Sequence, residues 1–490
     1  MSGISELESK NIVIRMSEKI ILVWFRNDLR IHDNEILLEA SRKADLVIPF
    51  YCFDDRHFKL TSFNTLKTGV FRARFLIESV ADLQKSLHKL GSDLVIASGK
   101  PEEIIPQLVQ KYKVTGVYHH REVASEETQV SEKVEAALWK QKINLKHFIG
   151  HTLYHKEDLP FPIKDIPNIF TNFKKKVEHE SAVKPCYETP KKIHSPSNME
   201  KGKVPTLLEL GFSDLSLHDS RSVLHFKGGE TNGASRLHTY FWETDSLKTY
   251  KETRNGLIGA DYSSKFSPWL SLGCLSPREI YWEIKRYEQE RVANESTYWL
   301  SFELLWRDYF RFMFKKHGNK YFCKSGFKGS APEESENQEE LFECWKSGHT
   351  GIPFIDANMR ELNATGFMSN RGRQNVASFL VKDLKVNWTW GAAYFEEKLI
   401  DYCPSNNWGN WAYVAGVGND PRDNRSFNVL KQAKIYDPHG DYVRLWIPEI
   451  KHIPAGKIHE PWKLPADRLA DYKIHIGKTY PHPVLEVTYS

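Results

Sequence analysis

The densest group of side chains able to do chemistry lies between Asp401 and Tyr413, in the sequence DYCPSNNWGNWAY. Residues 401–404 form a turn, after which Asn407 and Trp411 are four positions apart and share a face of any helix formed there. An amide and an indole on one face suit a flat aromatic cofactor with a polar edge. The amide can address a ring nitrogen without adding charge, and the indole can give up an electron. The alternative, which this stretch taken alone favours, is that Trp408 and Trp411 are core aromatics and Asn407 is a turn residue.

A second group lies in the segment STYWLSFELLWRDYFRFMFKKHG, which reads as one long helix. Glu303, Trp306 and Arg307 fall at i, i+3 and i+4, on one face of that helix. Burying such charges is costly unless the face lines a site, which is the interpretation we favour over a solvated Glu–Arg pair. The apolar stripe of the helix consists of Phe302, Leu305, Tyr309, Phe312 and Met313.

A third group begins with MSNRGRQNVASFLV, where a helix is expected to start at Asn370. Asn370 and Arg373 face together, and Arg373 is suited to pair with Asp401 beside a cofactor that becomes anionic when reduced. Trp388 follows shortly before residue 401, so Trp388 and Trp411 could lie in sequence outward from a buried ring.

A hydroxyl-rich turn follows Tyr250 in the segment YKETRNGLIGADYSSKFSPWL. Its serines and Lys265 precede a predicted helix, and hydroxyls, backbone N–H groups and a cation at a helix start suit a pyrophosphate. A serine-capped helix without any ligand is the alternative, and taken alone the turn favours that alternative. The serines are Ser263, Ser264 and Ser267.

The N-terminal elements that would support a site alternate between strands and helices. Ile20–Phe25 is a continuous apolar run, typical of a strand buried on both faces. Three further strands are predicted at 44–52, 93–97 and 114–119, with an amphipathic helix at 71–90. This alternation predicts a doubly wound α/β domain with a parallel sheet.

No G-x-G-x-x-G follows the first strand, so a standard dinucleotide site is not supported there. Glu122 comes directly after the fourth predicted strand, at the edge where such sheets bind ligands. Its carboxylate could pair with the amino and ring N–H edge of a pterin-like ligand. By itself, the sequence favours a solvated loop acid.

The sequence divides into four segments. We expect a loose N-terminal extension (1–19), the α/β domain (20–150), a proline-rich connector draped over the surface (151–225) and an all-α domain (226–490). The Lys174–Lys176 run in the connector is interpreted as a solvated face.

The amino-acid composition limits the classes of function that the chain can have. The chain has 490 residues, 14 tryptophans and a formal net charge of +5, which permits a polyanionic partner without requiring one. Its six cysteines have no paired spacing, so we expect no disulfide framework, no metal site and a reducing compartment. No run of about 18 apolar residues suits a membrane span. We expect a monomer in the cytoplasm, or in an organelle or the nucleus of a eukaryote.

Together, VWFRNDLRIHDN, the hydroxyl turn, ELLWRDYFR, MSNRGRQ and DYCPSNNWGNW resemble the photolyase and cryptochrome family. KETRNGLIGADYSSKFSPWL, RYEQERVAN and GVGNDPRDNRSFN look like its cryptochrome-DASH branch. The resemblance covers nearly everything after residue 19. It implies an N-terminal α/β domain and a C-terminal helical domain that holds FAD in a bent conformation.

The resemblance also implies roles for individual residues. Arg307 would lie near the FAD phosphates and ribityl chain, and Asn407 would lie at the flavin N5. Those phosphates and that chain would be cradled by Tyr250, Ser263, Ser264, Lys265, Phe266 and Ser267, while Arg373, Asp401, Tyr402, Cys403 and Asn407 would surround the isoalloxazine ring. Glu303 and Asn370 match polar contacts to a cyclobutane pyrimidine dimer, and Trp306 matches one stacking wall.

The activity so implied is blue-light-driven electron transfer from FADH⁻ to a dimer flipped out of DNA. A folate antenna, 5,10-methenyltetrahydrofolate, is expected near Glu122. The second stacking wall, Trp in many duplex-active photolyases, is Tyr413, as in the DASH branch. A weaker wall favours single-stranded DNA, because flipping a base from a duplex costs more.

Two departures from the family pattern stand out. The usual D-x-D of the flavin turn ends in Cys403, which leaves the flavin's redox poise in doubt, and the outermost residue of the usual tryptophan chain aligns with Ser335. Trp411 and Trp388 remain, but the surface exit of the chain is missing, so we predict slower or rerouted photoreduction of oxidised FAD. A photoreceptor that signals through flavin photoreduction is the alternative function, although the chain ends at Ser490 without a long tail, which favours repair. A thermal flavoenzyme has little support, because no base and nucleophile constellation stands out.

Overall fold

The structure is a computed structural model. It describes residues 18–213, 218–420, 422 and 426–486. Residues 1–17, which make up most of the predicted N-terminal extension, lie outside the described residues.

A five-stranded parallel sheet forms the N-terminal half, with the strand order β3-β2-β1-β4-β5. The strands are β1 Ile20–Phe25, β2 Leu46–Phe53, β3 Val95–Ser98, β4 Gly116–His120 and β5 Leu145–Phe148. Every residue of β1 is buried, because helices cover both faces of the central strand. The α/β prediction is confirmed, although the sequence analysis overlooked β5.

Four helices pack on this sheet: α1 Glu35–Lys43, α2 Val70–Lys89, α3 Pro101–Tyr112 and α4 Ser125–Trp139. α2 confirms the helix predicted at 71–90, and its stripe through Phe75, Val80 and Leu83 is buried. The start of α1 is fixed by Asn34, whose side chain accepts a hydrogen bond from Leu37 N.

The connector contains one helix that the sequence analysis overlooked, α5 Phe170–Glu180. Phe170, Phe173 and Val177 are buried on one face of α5. The prolines and lysines around this segment concealed its 3.6-residue periodicity, and the expectation of a connector draped over the surface is wrong for this part of it.

The remaining half is helical, as predicted. Its helices are α6 Glu230–His238, α7 Tyr250–Thr253, α8 Ser267–Ser271, α9 Pro277–Glu290, α10 Glu295–His317, α11 Gln338–Ser347, α12 Pro353–Thr365, α13 Asn370–Ser378, α14 Trp388–Lys398, α15 Pro404–Ala415, α16 Val429–Tyr436, α17 Asp441–Trp446 and α18 Ala466–Asp471. π-Helical turns extend α6 over Thr239–Glu243 and α13 over Phe379–Asp383. Short 3₁₀ turns occur at Asp55–Phe58, Lys156–Asp158, Ile163–Asp165, Ser246–Thr249, Gly318–Phe322, Pro448–Ile450 and Pro461–Lys463.

Buried polar contacts join the two halves. Asp33 is fully buried and accepts hydrogen bonds from Arg278 Nε at 3.0 Å and Nη2 at 2.8 Å. Asp308 on α10 accepts from the backbone N–H groups of Leu153 and Tyr154, both at 2.9 Å. These contacts join α9 to the loop after β1, and α10 to the segment after β5. Within the described residues, the helices are too short or too polar to cross a membrane.

Candidate flavin and nucleic-acid site

The turn before α15 holds an ion pair whose carboxylate is buried. Arg373 Nη2 donates to Asp401 Oδ2 at 2.9 Å, which confirms the pairing expected from the sequence. The Asp401 side chain is only 2% exposed, and its Oδ1 has no hydrogen-bond partner among the described residues. Since buried carboxylate oxygens are rarely left unpaired, this atom is available to accept from an N–H group of a ligand.

Asn407 and Trp411 lie on one face of α15, as predicted, and both are buried. Asn407 Nδ2 donates to the Ala392 carbonyl at 2.9 Å. Because a carbonyl can only accept, this bond fixes the amide orientation and leaves Asn407 Oδ1 as the acceptor. Close packing of α14 on α15 depends on Gly391, where a Cβ would lie 2.3 Å from Trp411 Cη2.

The middle of the same turn is engaged with the rest of the protein. Arg72 of α2 lies over the Tyr402 ring, 4.6 Å from its centroid, and Trp408 Nε1 donates to Tyr402 OH at 3.3 Å. The Cys403 thiol is buried, with Arg311 Nη1 at 4.0 Å and Ser405 Oγ at 3.4 Å from its sulfur. The Tyr402 ring is therefore fixed by the α/β domain.

The hydroxyl turn differs from the sequence expectation in one respect. Lys265 Nζ donates to the Ala260 carbonyl at 2.8 Å and lies 3.2 Å from the centroid of the Tyr262 ring. Burial lowers the pKa of Lys265 to about 6. The expectation that this ammonium group is presented to an anion is therefore wrong, because the loop around residue 260 has captured it.

The other residues of that cradle remain close to the turn. Ser264 and Phe266 are buried, Ser263 is half-buried, and Ser267 is exposed at the start of the five-residue helix α8. Tyr250 is buried at the start of α7. The turn can thus offer backbone N–H groups and hydroxyls, but not the predicted cation.

One face of α10 carries Glu303, Trp306 and Arg307, as predicted. Arg254 Nη1 contacts Glu303 Oε1 at 2.7 Å. The Trp306 and Tyr413 rings lie edge to face, with their centroids 6.1 Å apart. Arg307 donates to the backbone carbonyls of His151 and Leu270, so it braces α10 against two loops instead of presenting its charge.

Phe170 is a residue of this site that the sequence analysis missed. Its ring stacks on Trp306 with a centroid distance of 3.6 Å and an interplanar angle of 12°. The signal was the spacing of Phe170, Phe173 and Val177, which is that of a buried helix face. Phe170 therefore covers one face of the indole and fixes its orientation.

The remaining predicted residues lie in different surroundings. Asn370 is exposed at the first position of α13, where Ser369 caps the helix. Trp388 is buried and has the Trp408 ring 5.8 Å away, whereas Trp411 has Phe395 at 5.1 Å. Ser335 N donates to the Lys385 carbonyl, three residues before Trp388.

Glu122 is buried, so the interpretation as a solvated loop acid is wrong. It accepts from Asn27 Nδ2 at 2.9 Å and from Arg311 Nη2 at 2.8 Å, while His151 Nε2 lies 3.3 Å away. Burial acts to raise the pKa of Glu122, but His151 and Arg311 lower it overall. Since burial lowers the pKa of His151 to about 3, that imidazole is neutral, and Arg311 keeps Glu122 ionised.

Glu122, His151 and Arg311 line a cavity of about 610 Å³ between α4 and the C-terminal part of α10. Cavities of this size are typical of sites for small organic molecules. Arg311 also approaches Cys403, so the cavity and the turn before α15 share this guanidinium. No local sequence pattern could indicate the partner of Glu122, because Arg311 is 189 positions away.

Comparison with known proteins extends over nearly the whole chain. Residues 21–193 match the family model described as DNA photolyase, and residues 299–490 match that of the FAD binding domain of DNA photolyase. The chain is 52% identical to cryptochrome DASH of Gloeobacter violaceus over 472 residues, covering 96% of this chain and 94% of the relative.

Solved structures give the same result. A cryptochrome from Synechocystis sp. PCC6803 superposes with a TM-score of 0.92 at 50% identity, covering 96% of both chains. A bacterial class III photolyase from Agrobacterium tumefaciens superposes with a TM-score of 0.85 at 28% identity, covering 97% of this chain and 96% of the other.

Proposed function

The chain belongs to the photolyase and cryptochrome family, in its cryptochrome-DASH branch, and from that premise we propose that it is a light-driven lyase. Its substrate would be the cyclobutane pyrimidine dimer, preferentially in single-stranded DNA. Its FAD-binding domain holds the flavin, and a folate serves as antenna.

The observation that carries the proposal is the position of two polar and aromatic groups along α15. Asn407 and Tyr413 are six residues apart on α15, or about 9 Å along the helix axis. The Arg373–Asp401 pair lies beside the N-terminal turn of this helix. Asn407, Arg373 and Asp401 form a buried polar surface, which we call the floor of the site, and Tyr413 forms an aromatic wall. This spacing suits a flavin at the floor and a base against the wall, close enough for an electron to pass from the flavin to the base.

The residues at the floor fit a flavin in its reduced form. Asp401 Oδ1 is a buried acceptor that no described residue of the chain bonds to, and Asn407 presents Oδ1 as an acceptor without adding a second negative charge. The Arg373 guanidinium compensates the Asp401 carboxylate, so the floor stays close to neutral for a ligand that is itself anionic. When bound, reduced FAD supplies an electron donor that light can excite.

The residues at the mouth fit a flipped pyrimidine pair. Trp306, held by Phe170, and Tyr413 provide two aromatic surfaces at nearly right angles, an arrangement that suits two joined bases better than one planar base. Glu303 can accept from a pyrimidine N–H group, and the exposed Asn370 amide can both accept from such a group and donate to a pyrimidine carbonyl. Stacking supplies about 1–3 kcal/mol per base, so a Tyr413 wall offsets less of the flipping cost than an indole would.

The cavity at Glu122 fits the head of a folate such as 5,10-methenyltetrahydrofolate. Glu122 is ionised and buried, and each of its oxygens has a lone pair beyond the bonds to Asn27 and Arg311. Those lone pairs can accept from the amino and ring N–H groups of a pterin.

A light-dependent repair assay tests the proposal. Dimer-containing oligonucleotides, single-stranded and duplex, would be illuminated with the FAD-loaded protein and compared with dark controls. We expect repair of the single strand, and Tyr413→Trp should increase duplex repair relative to single-strand repair, whereas Tyr298→Trp, on the exposed surface of α10, should not. Stable flavin binding without repair of either substrate would refute the lyase and favour the photoreceptor.

A further inference from the structure

A continuous series of aromatic rings leads from Trp411 to the protein surface at the start of α14. The Trp411 ring lies edge to face with that of Trp345, and their centroids are 6.1 Å apart. Trp345 stacks on Phe342 at 5.8 Å, and Phe342 meets Trp390 edge to face at 5.6 Å. The series thus joins one tryptophan from each of α15, α11 and α14, with a single phenylalanine between the last two.

The members of this series differ in their access to water. Trp411 is 2% exposed and Trp345 is fully buried, whereas Trp390 is half-buried. Trp345 Nε1 donates to the Val376 carbonyl at 2.9 Å, and an amide carbonyl accepts such a bond without taking up the proton. An oxidised indole becomes long-lived when it loses its N–H proton. Trp390 is therefore the member of the series from which a proton can pass to water.

The path through Trp388 ends inside the protein. Trp388 is 1% exposed and its ring contacts that of Trp408, which is also buried. In the part of the chain that the structure describes, the other rings in contact with this pair are Phe63 and Phe322, and an indole radical cation does not oxidise phenylalanine. Ser335, at the position of the expected surface exit, has no ring. The route through Trp390 is thus the one that brings three tryptophans to the surface.

Tyr394 is a second oxidisable side chain beside the series. Its ring lies 6.0 Å from that of Trp345, but the residue is only 5% exposed. Its hydroxyl donates to Asn363 Oδ1, an amide oxygen that is not a base, and burial raises the pKa of Tyr394. Oxidation of a phenol requires the loss of its proton. Tyr394 is therefore a poor end point, and the series continues to Trp390.

We propose that Trp345 and Trp390 supply electrons to Trp411 when oxidised FAD is photoreduced. Trp390 thereby replaces the surface exit that is missing at Ser335. The inference rests on the proposed position of the flavin at the floor of the site, next to Trp411 on α15. It is separate from repair, because it concerns how the protein reaches its reduced form and involves no DNA.

Each step moves one electron inward and one positive charge outward. Trp411 gives one electron to the excited flavin, Trp345 gives one to Trp411, and Trp390 gives one to Trp345. The last transfer passes Phe342, whose ring is not itself oxidised. The N–H bond of the Trp390 radical cation then breaks, and the proton passes to water. A thiol in solution restores Trp390 by supplying one electron and one proton, and it becomes a thiyl radical.

The first test follows photoreduction of the FAD-containing protein by absorbance under blue light, with dithiothreitol as the thiol and without DNA. Trp390→Phe should slow photoreduction several-fold. Trp139→Phe removes an indole that is 79% exposed at the end of α4, outside the series, and should leave the rate unchanged. Adding Ser335→Trp to Trp390→Phe should restore the rate through Trp388, which would not happen if Trp390→Phe had merely damaged the fold.

The second test identifies the oxidised residue. Without thiol, a tryptophan radical adds dissolved oxygen, and mass spectrometry of peptides locates the adduct. After illumination we expect adducts at Trp390, far fewer of them in Trp345→Phe, and none above the dark level at Trp139. Oxidants released into solution would instead attack Trp139 first, because it is the more exposed residue.

Three results would overturn the proposal: equal photoreduction rates in wild type and Trp390→Phe, a rate that Ser335→Trp does not restore, or adducts that follow exposure instead of the series. The repair assay is kept independent by reducing the FAD with dithionite beforehand. Repair without these effects would therefore refute the electron path alone, whereas these effects without repair would refute the lyase alone.

Discussion

Removing Arg373 should destabilise the protein far more than removing an arginine whose carboxylate partner is partly exposed, because it leaves a buried carboxylate without its counter-ion. Arg373 Nη2 lies 2.9 Å from Asp401 Oδ2, and the Asp401 side chain is 2% exposed. At that separation and an effective dielectric constant of about 20, the attraction is about 6 kcal/mol, partly cancelled by desolvation of the two charges. Breaking a buried pair from one side costs about 3–5 kcal/mol, which is our expectation for Arg373→Leu.

Arg360 provides a matched control. Arg373 Nε donates to the Met368 carbonyl, and Arg360 Nε likewise donates to the Gly348 carbonyl. Arg360 also pairs with one carboxylate, Glu449, at 2.6 Å. The Glu449 side chain is 24% exposed and can be rehydrated when its partner is removed. We therefore expect Arg360→Leu to cost about 1 kcal/mol, the range of partly exposed pairs.

The assay is urea unfolding of both variants without bound flavin, followed by tryptophan fluorescence, with flavin content of the purified proteins as a second measurement. The free energy of unfolding should fall by about 2–4 kcal/mol more in Arg373→Leu than in Arg360→Leu. Only Arg373→Leu should lose flavin. Equal destabilisation by the two substitutions would refute the argument that burial of Asp401 decides the cost.

The other predictions concern different parts of the molecule. Ser335→Trp should speed photoreduction of oxidised FAD over wild type, measured by absorbance under blue light, and equal rates would contradict the prediction. Phe170→Leu should lower the affinity for dimer-containing single strands several-fold, because Trp306 would no longer be held in place, while undamaged strands bind as before. An unchanged affinity for the dimer-containing strands would show that Phe170 does not hold Trp306 for binding. Burial raises the pKa of Glu361 to about 8. The stability it contributes is present below the ordinary glutamate pKa and is lost as pH rises towards 8, at about 1.4 kcal/mol per pH unit. Glu361→Gln should make the urea unfolding midpoint less dependent on pH between pH 6 and 8. A pH dependence equal to that of wild type would disprove the assignment of this dependence to Glu361.

Much of the fold follows from local patterns. Continuous apolar runs such as Ile20–Phe25 and the stripe of α2 predicted the parallel sheet and its helices, because burial on a sheet or a helix face imposes a fixed period on the sequence. The boundaries were within about two residues for β2 and β4. The prolines and lysines around α5 hid that helix, since composition outweighed a short periodic signal.

The sequence also determined the chemistry at the floor of the site. Asn407 and Trp411 share a face because helical geometry is local, and the Arg373–Asp401 pair could be expected from charge and motif order. Tertiary structure alone decided how the other charges are used. Lys265 turns into its own loop, Phe170 covers Trp306 from the connector, and Arg311 reaches Glu122 across 189 positions. Partners so distant in sequence are set by how the two domains pack, because no local pattern encodes which groups meet when both leave water.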